Sequence, residues 1–498
     1  MFIASIDLGT THVKVALLNF NEREESLTVI KSLNLRIVPI RPEPSAYEHD
    51  PKEVLATIKQ LVRDVCRGVR VDAIVLTTYL FGLVLTDAEM RPITNIITWL
   101  DERPYEVLRE LQPFSKELYV RTGCPHLHVY TLPKLLWLRR RAPSTLREAK
   151  YFIDAKALLM NFLTGSNITD LSSASGTYQM LNIRSLKWDE LPLSLAGIDE
   201  SSLPEVREGY YSEHIKTRLA YELGIDGEVP VVLGVYDGAS MIYGLTGGAS
   251  GLGVINMGSS AMIRALVQEP IIDSPQLMRF QTYYLIDHAW LAGGAISNGG
   301  IVVEHLIRLL YDVQPDDVGA YSRVLSSLSI TGKRPQTLIS IPLLYPERLP
   351  INPARRVSIV GLDITTKKED IILSAIEGVI MLLALLYRAM EENGISVSEV
   401  RVGGKLTEYP LIRKLIASIL GKEVVYSGFV DASHLGNLLL LLRSLKHASA
   451  KEVRELCEKM LGRSERTTPM LDEVARYRNL LKEFELIISK LYSHPTSN

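Results

Sequence analysis

Phe2 to Leu8 is an apolar, β-branched run interrupted by Ser5 and Asp7, and Val13 to Leu18 alternates well enough for a second strand. Gly9-Thr10-Thr11 between them predicts a hairpin turn. After a polar, Pro-punctuated stretch, Asp50-Pro51-Lys52-Glu53 carries the marks of a helix start: a capping Asp, Pro at the first position and Glu three after the cap. Val54, Ile58, Leu61, Val62 and Val65 then share one helical face, and Val71 to Thr77 and Leu83 to Asp87 return to strand patterns. Strand, helix, strand predicts α/β layers rather than a helical bundle.

Helices are predicted from Thr131 to Arg141 and from Lys156 to Leu163, and short strands from Pro230 to Gly234 and from Gly253 to Met257. Between those strands, Gly244 to Gly251 is dense enough in glycine for a hinge, and it divides the chain into domains at 1–244 and 245–498. The second half mixes helices and strands as the first does. Helices are predicted from Gly299 to Tyr311, Glu369 to Asn393 and Pro410 to Leu420, strands at Val400 to Val402 and Glu423 to Tyr426, and a capping box at Ser449 to Glu452. Thr468-Pro469 is expected to open the last helix. One faint internal echo stands out: Asp7-Leu-Gly-Thr-Thr and Asn256-Met-Gly-Ser-Ser each follow a strand with Gly and paired hydroxyls.

Composition narrows the function classes. With 498 residues the chain exceeds what one hydrophobic core organises, and a formal net charge of −2 without long runs of one sign gives no footprint for nucleic acid or a membrane surface. Cys66, Cys124 and Cys457 are scattered, which excludes a disulfide framework and fits a reducing compartment. The amino terminus lacks the basic and apolar regions of a signal peptide, and Val379 to Tyr387 is too short for a membrane helix, so a cytoplasmic protein is expected. The oligomeric state stays open, a homodimer among the options.

The two Gly-hydroxyl turns, Gly9-Thr10-Thr11 and Gly258-Ser259-Ser260, are suited to holding a nucleotide's phosphates from two sides with backbone amides and hydroxyls. Asp7 would then place a carboxylate beside the phosphates, suited to a magnesium ion and its waters. Val402-Gly403-Gly404-Lys405 is a bare strand-to-helix turn against which a flat base can lie. Asp237 follows an apolar strand just before the proposed hinge; it is either an ordinary Asp-Gly turn or the carboxylate that takes a hydroxyl proton in phosphoryl transfer. Trp99-Leu-Asp101-Glu-Arg103 is either a charged loop or a sugar pocket, in which Trp stacks on C–H surface and Asp and Arg bond hydroxyls. Lys14 points either to phosphate or to solvent, and His126 and His128 lack the spacing of a metal site.

Taken in order, Trp99-x-Asp101-x-Arg103, Thr122-Gly-Cys-Pro125, Leu132-Pro-Lys-Leu-Leu-Trp137, Asp170-Leu-Ser-Ser-Ala-Ser-Gly-Thr177, Gly234-x-x-Asp237-Gly238, Gly258-Ser-Ser260, Gly293-Gly-Ala-Ile-Ser-Asn-Gly-Gly300, Glu347-Arg348-x-Pro350, Glu377-Gly378 and Gly403-Gly404 resemble the FGGY family of carbohydrate kinases. That resemblance covers about residues 1–445 and implies an α/β protein of two ribonuclease-H-like domains, of the actin, hexokinase and Hsp70 type, around a central cleft. It implies an ATP- and magnesium-dependent kinase that phosphorylates a terminal hydroxyl of a carbohydrate. By the same resemblance Asp237 is the general base, Asp7 and Asp237 lie at the metal, and Trp99, Asp101, Arg103, Tyr79 and Phe81 face the sugar. Gly9, Thr10, Thr11, Lys14, Gly258, Ser259, Ser260, Gly300, Gly403, Gly404 and Lys405 bind the nucleotide.

Within the family the chain is most similar to gluconate kinases and next to xylulose kinases. It departs from them at Phe81 and Leu127, where the gluconate subgroup carries histidines, and at Pro346 and Lys405 to Glu408. A lost polar contact changes which substrate a pocket holds, so gluconate is the first expectation and xylulose, ribulose or another polyol the alternative. A nucleotide-driven interaction protein of the actin or Hsp70 type is the competing class.

Overall fold

The computed structural model describes residues 1–314, 317–329, 338–347, 349, 356–428, 431–462 and 464–492. Its first half is built on six strands: β1 (Phe2–Leu8), β2 (His12–Asn21), β3 (Ser26–Arg36), β4 (Ala73–Thr78), β5 (Ser212–His214) and β6 (Pro230–Val232), in the order β5-β6-β4-β1-β2-β3. The first three form an antiparallel meander, while β4 runs parallel to β1 and β6 parallel to β4. The second half is built on seven: β7 (Leu252–Met257), β8 (Ala261–Val267), β9 (Gln281–Ile286), β10 (Ala289–Ile296), β11 (Glu399–Gly403), β12 (Glu423–Tyr426) and β13 (Glu465–Thr467), ordered β9-β10-β8-β7-β11-β12-β13. Here β7 and β8 are the hairpin and β11 runs parallel to β7. Each sheet therefore centres on a hairpin whose first strand has a parallel neighbour on its other side, which gives the faint sequence echo a structural meaning.

Helix α1 (Pro51–Cys66) starts where its signals place it, with the Asp50 carboxylate accepting from Lys52 N at 2.8 Å. The helices α2 (Thr131–Arg141), α3 (Ala155–Leu163), α4 (Asp237–Thr246) and α5 (Gly300–Tyr311) follow, then α6 (Lys368–Glu392), α7 (Pro410–Leu420), α8 (Ala432–Leu445), α9 (Ala450–Leu461) and α10 (Leu471–Tyr492). The expectation that no segment has the length for a membrane span is amended by α6, a helix of 25 residues with mean hydropathy 2.1 over its most apolar window. That window is 83% buried, with Ile376, Val379, Ile380 and Leu383 wholly enclosed, so α6 is the core helix of the second half.

Strands β3, β8, β9 and β10 lie outside the elements expected from the pattern, and the last helix begins at Leu471 rather than at Thr468-Pro469. Most β3 side chains are exposed, so no hydrophobic face marks it. Thr467 pairs with Val424 across the sheet, which holds the chain extended up to that point. Gly244 is explained by packing: a Cβ there would lie 1.9 Å from Ala432 O, so only glycine lets α4 and α8 approach this closely. Asn437 of α8 completes the junction, its amide donating to Ser5 and Thr77 hydroxyls at 3.1 and 2.9 Å and its carbonyl accepting from Ser240 at 2.7 Å. A helix of the second half is thereby bonded to β1, β4 and α4.

Candidate functional site

The carboxyl ends of β1, β4 and β6 come to one edge. Leu8 pairs with Thr78, and a bridge sets Thr78 beside Tyr236, the residue before α4. Asp7 is the penultimate residue of β1 and Asp237 the first of α4, so two carboxylates converge where open α/β sheets bind ligands. The bend between β6 and α4 depends on Gly234, with φ 67° and a would-be Cβ only 1.8 Å from Leu76 O. Asp237-Gly238 is thus a helix start rather than a simple turn, with Gly238 N donating to Asp237 Oδ1 at 2.7 Å.

Electrostatics at this edge are unusual for surface acids. Asp7 is pushed up to about 7, first by loss of water and then by the Asp237 charge, with Lys14 pulling the other way. The Asp237 carboxyl is also raised, by its protein surroundings, although the residue opens to solvent. Behind the pair, buried Lys156 donates to Leu233 O, Val235 O and Leu76 O at 2.6, 3.2 and 3.3 Å and faces Asp170 at 3.4 Å. Lys156 therefore ties the bend that presents Asp237 to β4, the strand beside β1. No sequence motif assigned it a role; the signal that could have found it is a lysine on a face of otherwise apolar residues in α3.

Asp7 Oδ1 is buried without a hydrogen-bond partner, and no group of three or more His, Cys, Asp or Glu side chains clusters for a metal among the described residues. That fits a cation which takes most of its ligands from water and phosphate and only a second-sphere hold from Asp7.

The equivalent edge of the second sheet is made of backbone. Ser259 and Ser260 are exposed at the tip of the β7–β8 hairpin. Gly300 N donates to Gly258 O at 2.8 Å and Ile301 N to Ser259 O at 3.1 Å, closing the loop onto the start of α5. A Cβ on Gly300 would lie 2.7 Å from Gly258 O, and one on Gly404, at φ 91°, 2.6 Å from both Asn256 Oδ1 and Met257 O. The buried Glu347 carboxylate accepts from Ser297 N and Asn298 N at 2.7 and 3.0 Å, fixing the turn before Gly299; Arg348 and Pro350 of the same run lie outside the described residues. Lys405 is exposed beside Gly404.

The two edges meet through α4. It starts at Asp237, and by Met241 and Leu245 its side chains lie 3.7 Å from where a Cβ on Gly403 would stand. A Cβ on Gly238 would lie 3.8 Å from Met262, just beyond the second hydroxyl loop. Asp237 thus heads a helix whose first turn borders β8 and whose side chains further along border Gly403.

In the first loop, Gly9 N donates to His12 O at 3.0 Å, and Thr10 Oγ1 accepts from Trp99 Nε1 at 2.9 Å, so the Trp99 segment is joined directly to the phosphate-loop candidate. Thr11 is exposed. Asp101, by contrast, is wholly buried: Arg103 donates to it at 2.7 to 3.2 Å and Tyr47 N at 3.0 Å. Its position makes it the anchor of Arg103 rather than an open sugar contact, while Arg103 also reaches Glu48 and stacks on Trp137. Tyr79 is buried with its hydroxyl 3.2 Å from His49. Phe81 adopts φ 69°, held by Thr177 Oγ1 on its N–H and by Lys134 on its carbonyl. Backbone held in that region by a phenylalanine is strained, a feature that clusters at ligand sites. Neither histidine flanking Leu127 replaces an absent one openly: His128 is buried and stacked 3.8 Å from Tyr105, and His126 is half-buried. Lys14 takes neither of its two expected directions, since it pairs with Asp431 at 2.5 Å, and Asp431 in turn faces His434 at 3.3 Å.

Residues 2–244 match the FGGY family of carbohydrate kinases, N-terminal domain, and residues 253–445 match its C-terminal domain. The gluconokinase of Bacillus subtilis (strain 168) is 29% identical over 97% of this chain and 94% of its own. The xylulose kinase of Staphylococcus xylosus is 25% identical over 81% of this chain and 83% of its own. Among solved structures, a gluconate kinase from Lactobacillus acidophilus superposes with a TM-score of 0.88 at 25% identity, covering 99% of this chain and 98% of that one. A ligand-bound xylulose kinase from the same organism gives 0.90 at 25% identity, covering 99% of both.

Proposed function

The chain belongs to the FGGY family of carbohydrate kinases and is a phosphotransferase with an alcohol group as acceptor, and on that premise we propose that it moves the terminal phosphoryl group of ATP to a terminal hydroxyl of a sugar acid, gluconate first. Match to the family along both halves removes the actin- or Hsp70-type interaction protein from consideration. What supports the proposal is the setting of Asp237: exposed at the edge of the first sheet, raised in proton affinity, near the Asp7 charge and at the head of the helix that leads to Gly403.

In this reading the Asp237 carboxylate orients the acceptor hydroxyl and takes its proton as the oxygen bonds to phosphorus and the bond to ADP breaks. The amides and hydroxyls of Gly9 to Thr11 and Gly258 to Ser260 hold phosphate oxygens, and Gly403-Gly404 presents bare backbone to adenine. Asp7, with its unpaired Oδ1, holds a water of a magnesium ion, which when bound spreads charge from the phosphates. Lys14 leaves Asp431 for phosphate when nucleotide enters. Trp99 lies over the sugar and Arg103 is kept in place by Asp101. Three buried free thiols suit a cytoplasmic location.

The gluconokinase relative supports gluconate. The second reading, a xylulose kinase, has its own support in the 0.90 superposition. Coupled ADP release measured with gluconate, xylulose, ribulose and glycerol tests both. Turnover with gluconate at least tenfold above the others is expected, and no carbohydrate-dependent ADP release from any of them would overturn the proposal.

A further inference from the structure

Strand β8 carries a single charge in an otherwise apolar run, Ala261-Met-Ile-Arg264-Ala-Leu-Val267. Alternation sends Ala261, Ile263 and Ala265 into the core of the second half, and Met262, Arg264 and Leu266 to the face that looks at the first. The layer on that side contains Phe81, Tyr130, Tyr236 and Tyr283. Met262, two residues from Arg264 on the same face, abuts Gly238, the neighbour of Asp237.

Arg264 is only 4% exposed. Its guanidinium carbon lies 5.1 Å from the centre of the Tyr283 ring, and its Nη1 makes two long contacts, 3.5 Å to Gln281 O and 3.4 Å to Gly293 O. Among the described residues no carboxylate pairs with it. Other deeply buried arginines differ: Arg103 holds Asp101 and Glu48, Arg401 holds Glu399 and Glu458, and Arg413 holds Glu465. Close by, the buried Tyr236 hydroxyl has no hydrogen-bond partner, and it feels both the Arg264 and the Asp237 charge.

A guanidinium without a counterion between two protein layers is costly, and so is an unpaired hydroxyl there. Both costs disappear if a planar anion enters, since the guanidinium fork matches a carboxylate. We propose that Arg264, with the Tyr236 hydroxyl beside it, binds the carboxylate of a sugar acid whose far hydroxyl faces Asp237, and thereby selects sugar acids over neutral sugars. Phe81 gives this layer a ring where a polar side chain would serve a neutral hydroxyl, which leaves discrimination to Arg264. The inference rests on the reading of Asp237 as base and of a sugar acid as acceptor.

The test compares gluconate with glucitol, which has the same carbon chain and a CH2OH in place of the carboxylate, in the full-length enzyme with ATP. Wild type is expected to favour gluconate, and Arg264→Met to lose about a hundredfold in kcat/KM on gluconate, mostly through KM, so that the gluconate-to-glucitol ratio collapses. Arg264→Lys should recover part of the loss, and Tyr236→Phe should cost about tenfold on gluconate; these two carry the test if the methionine variant does not fold. The Kd for ATP without carbohydrate serves as the fold control. An unchanged gluconate-to-glucitol ratio in the variants, or equal loss on both substrates, overturns the role of Arg264. Wild type preferring glucitol or xylulose to gluconate overturns the underlying acceptor assignment, a failure visible before any variant is made.

Discussion

At the edge of the first sheet the chain gathers ionisable groups, Asp7 and Asp237 with Lys156 and Asp170 behind them, whereas the matching edge of the second sheet is glycine and hydroxyl: Gly258 to Ser260, Gly300, Gly403 and Gly404. Both edges end a hairpin strand with a parallel neighbour, so the architecture is repeated and the equipment is not. One half therefore offers carboxylates at its edge, while the other offers bare backbone and hydroxyls with Lys405 beside them. An acid costs stability where water is scarce; a glycine costs little in the fold but admits no substitute where backbones nearly touch.

The harshest probe of this contrast is Asp237→Asn. Turnover should fall about a thousandfold or more while the Kd for ATP moves by less than about threefold, measured by steady-state kinetics and calorimetry. Retained turnover would remove the first edge from the chemistry. Next comes Gly404→Ala, where a methyl would press on Asn256 and Met257. It should raise the KM for ATP about tenfold and lower Tm by several degrees, with a smaller effect on kcat at saturating ATP.

Asp7→Asn approaches the same contrast from the stability side. Because the folded carboxyl sits at about 7, above its ordinary 3.8, the folded state binds more protons than the unfolded one between those values, and stability falls as pH rises from about 4 to about 7. Without nucleotide or magnesium, the variant should therefore melt a few degrees above wild type at pH 8, with the gap closing below pH 4, although its kinase activity is lost. A lower Tm at pH 8 would show that Asp7 is a structural acid. The mildest outcome is expected from Asp431→Asn, which breaks a partly exposed pair with Lys14. Tm should drop by no more than about 2 °C and the KM for ATP change by less than about threefold. A collapse of kcat would mean that the second half supplies charge after all, and the contrast would fail.

Legibility followed locality. The opening hairpin, α1 with its Asp50 cap, and α2 and α7 were readable because each is specified by residues within a turn or two of one another. Strands β8 to β10 were not, because their partners lie on other strands and Gly293 and Gly294 interrupt the apolar pattern of β10. The same divide runs through the site. Gly234, Asp237 and the two hydroxyl loops were visible as turn chemistry at strand ends. The burial of Asp101 and the diversion of Lys14 to Asp431, more than four hundred residues away, were not.

The α/β alternation, the paired Gly-hydroxyl turns and the acids at strand ends were all written in the order of residues, since periodicity and turn preference are properties of chain neighbours. Which acids come together, which lysine braces the bend before Asp237 and which arginine has no counterion among the described residues were settled by packing in three dimensions. Those are matters of distance and excluded water between residues remote in the chain, and no local pattern encodes them.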